Sequence, residues 1–261
     1  MLAGGTDLIP QLRQGDKLAD LLIDITGIKE LQLIHEQEDW ICIGAAVTHA
    51  AVAAHPLICK EVRALAEGCA HVGSPQIRNM ATLAGNVINA RPAADGAIPL
   101  TALAAEINIV SPAGARWVPI EDTYRGVGLS HIDPSCEIAK AVRFKKPGSR
   151  AMTGFFRMAK RKALTLPIIN GAVYILWDQS FTKIEKARIA LGPVADRPFH
   201  PKRAERLLEN GDLTPELILE VARQAAEEAS PRTNIVRGSD LYRKEMIRIY
   251  LARTLHSLRA G

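Results

Sequence analysis

Cysteine is scarce in this chain of 261 residues. Cys42, Cys59, Cys69 and Cys136 stand far apart with no C-x-x-C pair, which argues against a zinc ribbon, an iron–sulfur cluster held by this chain and a disulfide framework. Buried free thiols are the expectation. The seven histidines, His35, His49, His55, His71, His131, His200 and His256, show no metal-ligand spacing, and no serine stands in a nucleophile elbow. The Rossmann glycine fingerprint and the Walker loop are also missing. No apolar run approaches the roughly 20 residues of a membrane span, and no basic-then-apolar leader is present, so a soluble cytoplasmic protein is expected. Any chemistry is then expected to come from a bound cofactor.

What is present is globular in kind. Hydrophobic residues make up 48% and charged residues 23%, which excludes a disordered or fibrous chain, and the length suits one large domain or two modest ones. The net charge of +5 hides a split: nine Lys and Arg stand against fifteen Asp and Glu up to Ser135, and twenty-four against thirteen from Cys136 onward. That asymmetry favours two domains, the second with a basic face. Lys145-Lys-Pro-Gly-Ser149 interrupts a polar stretch where the balance changes, and places the boundary near residue 150.

The pattern predicts a glycine turn at Met1–Leu8 followed by a short helix through Arg13. Short strands follow at Leu21–Ile25 and Trp40–Ile43, and a helix from Pro56 to about Ala70. Val72 to Pro92 holds too many glycines, prolines and asparagines for a plain helix or strand and reads as structured loop. A helix around Ile98–Ala105 and strands at Ile107–Ser111, Trp117–Ile120 and Ile138–Phe144 complete the first part. Beyond residue 150, strands at Ile168–Trp177 and Lys183–Ala190 precede a helix that Thr214 caps, with Pro215 at its first position, and a last helix around Ile247–Leu258. The fold class is α+β.

Two clusters could bind a ligand. Gly4-Gly5-Thr6-Asp7 offers consecutive N–H groups in a sharp turn, a phosphate cradle or only a turn. Gly73-Ser-Pro-Gln-Ile-Arg-Asn79, Thr82-Leu-Ala-Gly-Asn86, Asn89 and Asp95 could hydrogen-bond a pyrophosphate and a sugar, or satisfy one another as an Asx-rich loop. The basic run from Lys140 to Lys146 with Arg150, Arg157 and Lys160 to Lys162 is either a nucleic-acid patch stacking on Phe155 and Phe156 or, by preference, a solvated face or subunit contact.

These clusters, together with Pro92-Ala-Ala-Asp95, Lys160-Arg-Lys-Ala-Leu164 and Val236-Arg-Gly-Ser-Asp-Leu-Tyr-Arg243, resemble in the same order the FAD-binding medium subunit of molybdenum hydroxylases, the family of xanthine dehydrogenase and carbon monoxide dehydrogenase. The resemblance runs from residue 3 to about residue 255. It implies an FAD-binding domain of the PCMH/vanillyl-alcohol-oxidase type over 1–149, shortened at its start by a strand and a helix, and an α+β domain with a small antiparallel sheet over 150–261. The shortening carries the expectation of weakened FAD retention. The resemblance gives Ala3, Gly4, Gly5, Thr6, Asp7 and Leu8, with Thr82, Gly85 and Asn86, to the FAD pyrophosphate. Asn89, Ala94 and Asp95 match positions on the adenosine side or the ribitol, and Ile138 one beside the isoalloxazine. Arg157 matches a position usually held by lysine near the flavin, where its charge would stabilise the reduced form.

Ala84 replaces the first of a usual glycine pair, which requires φ below zero. Thr165 replaces a frequent aspartate. The implied partners are a molybdenum-cofactor large subunit, a [2Fe-2S] small subunit and NAD or another electron acceptor, with no nucleic acid, membrane span or metal on this chain. A self-contained FAD-dependent oxidoreductase of the same broad fold and a non-enzymatic nucleic-acid-binding module are the alternatives.

Overall fold

A computed structural model describes residues 1–161 and 163–259; Lys162 of the basic run and the last two residues, with the ends of the stretches named above, lie outside the described residues. The chain opens on the glycine turn and helix α1 (Leu8–Gln14), which Gly15 ends at φ 78°. The expected strand at Leu21–Ile25 does not form. Leu2 makes a single parallel bridge with Asp24, and Leu18 and Leu21 are 94% and 73% exposed.

Strands β1 (Ile34–Gln37) and β2 (Trp40–Gly44) form a hairpin. A run of short helices follows: α2 (His49–Ala54), α3 (Pro56–Glu61), α4 (Arg63–Ala70), α5 (Pro75–Met80), α6 (Leu83–Ile88) and α7 (Ala97–Ala102). The single helix expected from Pro56 to Ala70 is broken in two, because Val62 leaves helical geometry at φ −144° while its side chain stays fully buried. The stretch expected as loop, Val72–Pro92, contains α5 and α6. Ser74 Oγ accepts from the Ile77 N–H at 3.3 Å with Pro75 in the first turn, and Thr82 Oγ1 accepts from the Gly85 N–H at 3.1 Å.

Strands β3 (Glu106–Ser111), β4 (Gly114–Pro119) and β7 (Ile138–Lys145), with a small hairpin of β5 (Tyr124–Gly126) and β6 (Leu129–Ser130) between, complete this part. The sheet runs β1-β2-β7-β3-β4 and is antiparallel throughout. Ile41, Ile43, Ile107, Ile109, Val142 and Phe144 of the sheet meet Val52, Leu65, Leu83 and Leu100 of the helices in one core. Each such side chain contributes about 1.5–3 kcal/mol on burial.

The second core belongs to the meander β8 (Ala151–Met158), β9 (Ile169–Trp177) and β10 (Ile184–Gly192), covered by α8 (Lys202–Leu208), α9 (Pro215–Glu228) and α10 (Asp240–Ser257). Thr214 caps α9 as expected, its Oγ1 accepting from the Leu217 N–H at 3.2 Å. The sequence pattern missed β8, as it missed the short strands β1, β5 and β6. Helix α7 bridges the two cores, with Ile98 and Ala102 packed on Ala172 and Ala190. Of the cysteines, Cys42 and Cys69 are buried as expected, whereas Cys59 and Cys136 are exposed. No described helix is long and apolar enough to cross a membrane.

Candidate functional site

The first glycine turn folds onto the second cluster. Gly5 at φ 66° turns the chain into α1, and its carbonyl accepts from the Ile9 N–H at 2.9 Å. Gly4 presses so closely on the Met80 carbonyl that a Cβ would overlap it. Ala3 packs with Ile138 against Ile25, Leu31 and Ala46, which sets the turn beside the start of β7. The second loop is tied down in turn: the Leu83 N–H donates to Val47 at 3.1 Å and the His49 N–H to Ala81 at 2.9 Å. Ala84 lies inside α6 with its methyl buried and φ negative, as its replacement of glycine requires.

Between the two loops lies a cavity of about 470 Å³, in the range of small-molecule sites. Of the residues proposed from sequence, Ala3, Gly4, Gly5, Thr6, Asp7, Leu8, Thr82, Gly85, Asn86, Asn89 and Ile138 all line it. Among the described residues, the N–H groups of Ala3 to Asp7 donate to no backbone carbonyl. Asn86 Oδ1 is buried without a hydrogen-bond partner. Lys17 and Arg125 add positive charge to the wall. A row of free N–H groups and amide side chains, with Lys17 and Arg125 balanced on the same wall by Asp7 and Glu137, suits a ligand whose anionic group sits on the N–H row and whose hydroxyls meet the amides.

Ala94, Asp95 and Arg157 do not line this cavity. The Arg157 and Asp95 side chains, 6% and 7% exposed, form an ion pair at 2.9 Å. Asn170 Nδ2 donates to the other carboxylate oxygen at 2.7 Å, and the Arg157 guanidinium also donates to the Thr165 carbonyl. Burial pushes the Asp95 carboxyl above the usual range, against the pull of Arg157 and Asn170. The segment stands directly behind the cavity wall, since a Cβ on Gly96 would lie 2.9 Å from Asn86 Oδ1. The part that Thr165 plays is its carbonyl, which any residue supplies.

The last two motifs meet elsewhere. Lys160 and the turn Val236–Gly238 line a smaller cavity of about 310 Å³ with Met158, Ile168 and Tyr242. Ser239 caps α10, its Oγ accepting from the Tyr242 N–H at 3.1 Å, and the buried Arg243 donates to the carbonyls of Ile168, Arg232 and Pro193. This motif therefore holds the turn and the sheet together. Sequence reasoning missed His49, Lys17 and Arg125 as cavity residues; only His49, next to the helix cap Thr48, stood beside a readable local signal.

Comparison with known proteins agrees with this geometry. Residues 1–145 match the family described as FAD binding domain in molybdopterin dehydrogenase, and residues 154–258 match the CO dehydrogenase flavoprotein C-terminal domain. The nicotinate dehydrogenase FAD-subunit of Eubacterium barkeri is 32% identical over 249 residues, covering 95% of this chain and 83% of the relative. The xanthine dehydrogenase FAD-binding subunit of Escherichia coli O157:H7 is 29% identical over 249 residues, covering 95% and 84%. Among solved structures, reconstituted CO dehydrogenase from Oligotropha carboxidovorans superposes with a TM-score of 0.90 at 26% identity, over 99% of this chain and 90% of the other. A cavity between two glycine loops, on a chain matched along nearly its whole length, thus identifies this protein as a member of the family of FAD-binding subunits of molybdenum-containing dehydrogenases.

Proposed function

We propose that this chain is the flavin subunit of a multisubunit molybdenum-containing hydroxylase or dehydrogenase, taking electrons from a [2Fe-2S] subunit that a molybdenum-cofactor subunit supplies and delivering them to NAD or another acceptor. The observation that carries this reading is the cavity enclosed by the two glycine loops, with free N–H groups on one side and Asn86 and Asn89 on the other. These residues fit FAD. Ala3 to Leu8, Thr82 and Gly85 would hold its pyrophosphate, where Gly85 presents no side chain beyond Cα. Asn86 and Asn89 would meet its phosphate or sugar oxygens, and Ile138 would flank the ring system. Ala94, Asp95 and Arg157 would support the site from behind, with the Arg157 charge largely spent on Asp95. FAD, when bound, supplies the redox chemistry, so the chain's own residues bind, orient and shield it and need no general base.

The test is uptake of FAD by the purified chain, followed by visible flavin absorbance after gel filtration. The wild type is expected to retain the chromophore, and Gly5→Val and Asn86→Ala to lose most of it. A wild-type chain that stays colourless at saturating FAD, with its partner subunits present, overturns the proposal. Reoxidation of the reduced, loaded chain by NAD⁺ then separates NAD from other acceptors.

A further inference from the structure

Reduction of FAD by two electrons and one proton leaves a negative charge on the ring system, and a cation beside the ring lowers the cost of that charge. Arg157, the cation expected there from the sequence, is committed elsewhere. Its guanidinium is held by the Asp95 carboxylate at 2.9 Å, and neither residue lines the cavity. Any positive charge at the ring end has to come from another residue.

Four charged side chains of the described residues reach the cavity wall: Asp7, Lys17, Arg125 and Glu137. Asp7 and Lys17 flank α1, next to the first glycine turn; Asp7 is its N-cap, and the Lys17 N–H donates to the Gln11 carbonyl at 3.4 Å. Arg125 and Glu137 belong instead to the stretch from β5 to β7, which also brings Leu129, Ser130, Ile132 and Ile138 to the wall. The four charges balance in number only. Glu137 already pairs with Arg116 at 2.6 Å and accepts from the Asp133 N–H at 2.9 Å, and Arg116 does not line the cavity. Arg125 is exposed and, among the described residues, enters no ion pair, unlike Arg116, Arg143, Arg150 and Arg157. A second arginine stands close without reaching the cavity: the Arg91 guanidinium covers Gly128 of the same hairpin, 3.0 Å from where a Cβ would lie.

We propose that Arg125 is the residue that stabilises the negative charge of the reduced flavin, and so raises the potential at which this chain takes up electrons. The proposal rests on the FAD reading above, with the ring system at Ile138. The electrons come from the iron–sulfur subunit and the proton from solution; the acceptor removes the electrons and the charge leaves the ring with them. Arg125 itself exchanges neither proton nor electron.

The experiment measures the midpoint potential of bound FAD by dithionite titration against redox dyes, the affinity for oxidised FAD, and the thermal midpoint of the FAD-free protein. The proteins are the wild type, Arg125→Gln, Arg125→Lys and Arg91→Gln. Arg125→Gln is expected to weaken the binding of reduced relative to oxidised FAD about tenfold, between the limits for a charge pair in water and at a protein surface, which equals about 30 mV for a two-electron couple. Arg125→Lys keeps the charge and should recover most of it. Arg91→Gln, whose charge lies outside the cavity, should change the ratio by about twofold at most. In about 1 M salt, where the screening length falls to about 3 Å, the Arg125→Gln difference should shrink to about threefold.

An Arg125→Gln protein with the potential of the wild type overturns the proposal. So does a shift of equal size in Arg91→Gln, which would trace it to the diffuse field of the surface, and so does an equal weakening of oxidised and reduced FAD, which would make Arg125 a plain binding residue. A shift that tracks a lowered midpoint of the FAD-free protein and that lysine does not recover overturns it as well. A wild type that takes up no FAD overturns the functional reading, and this proposal with it.

Discussion

Gly4 has no room for a methyl group, because a Cβ there would overlap the Met80 carbonyl and lie 2.8 Å from the Ala81 Cα. Both obstacles are backbone, so the side chain cannot turn away and the two loops must part. Gly4→Ala is therefore expected to destabilise by about 1–3 kcal/mol, the range of overpacked positions, and to weaken FAD retention in step. Gly27→Ala serves as the control, since nothing lies within 4 Å of a Cβ there. Thermal midpoints and retained absorbance of both variants check this; equal behaviour of the two would mean that the loops yield. Both glycine loops were legible as candidates in the sequence, because Gly-Gly-Thr-Asp and Thr-x-x-Gly-Asn carry their geometry locally. His49 was not. Its place depends on burial at the cavity wall, which no local spacing encodes.

At the scale of elements, what the sequence hid was short. α5 and α6 have six residues each, too few to display a helical period, and their glycines and asparagines read as breakers. Their caps were nevertheless written in the chain as Ser74-Pro75 and Thr82. β8 escaped because Gly154 and two adjacent phenylalanines blur its alternation and most of it is only half-buried.

The same strand supplies the most consequential long-range contact. Arg157 on β8 and Asn170 on β9 hold Asp95, which precedes α7, and so tie the second sheet to the back of the cavity. Asp95→Asn removes the counter-charge and leaves the Arg157 guanidinium buried beside a neutral amide. Loss of one partner of a buried ion pair costs about 3–5 kcal/mol. The variant is expected to unfold at correspondingly lower urea concentration and to release FAD more readily, since the strand-linked segment backs Asn86. If stability falls while FAD affinity stays at the wild-type value, the link does not reach the cavity.

On the scale of the whole molecule, the charge split read from the sequence is real, and only some of the cations behind it are held in ion pairs. Arg150, Arg188, Lys202, Arg223, Arg232 and Arg248, all in the basic half, pair with Glu185, Glu121, Glu205, Glu220, Asp196 and Glu245. The exposed pairs among them contribute little stability. The exception lies at the junction of the two cores. His200 Nδ1 meets Glu205 Oε1 at 2.7 Å and its Nε2 meets Glu121 Oε1 at 3.0 Å, while Arg188 reaches Glu121 at 2.9 Å and Lys202 reaches Glu205 at 3.1 Å. Glu121 follows β4 in the first part of the chain; the other four belong to the second.

Burial opposes charge on His200, but its hydrogen bonds to Glu121 and Glu205 outweigh that and hold its pKa above the ordinary 6.5. Burial likewise resists ionisation of Glu121 and Glu205, yet their bonds to His200 keep both below the usual carboxylate value. A histidine whose pKa is raised by folding stabilises fully below its unfolded value and loses that stabilisation as pH climbs through the folded one. The two glutamates do the reverse, losing theirs as pH falls through their depressed values. The junction is therefore firmest in mildly acid solution and loosens toward alkaline pH. His200→Gln should cost the most stability near pH 6, about 1–2 kcal/mol once the solvent screening at Glu121 is allowed for, and progressively less toward pH 9, read from the lowering of the thermal midpoint. A deficit that stays constant across that range would mean that His200 acts through packing alone, and that the charge at the junction does not titrate.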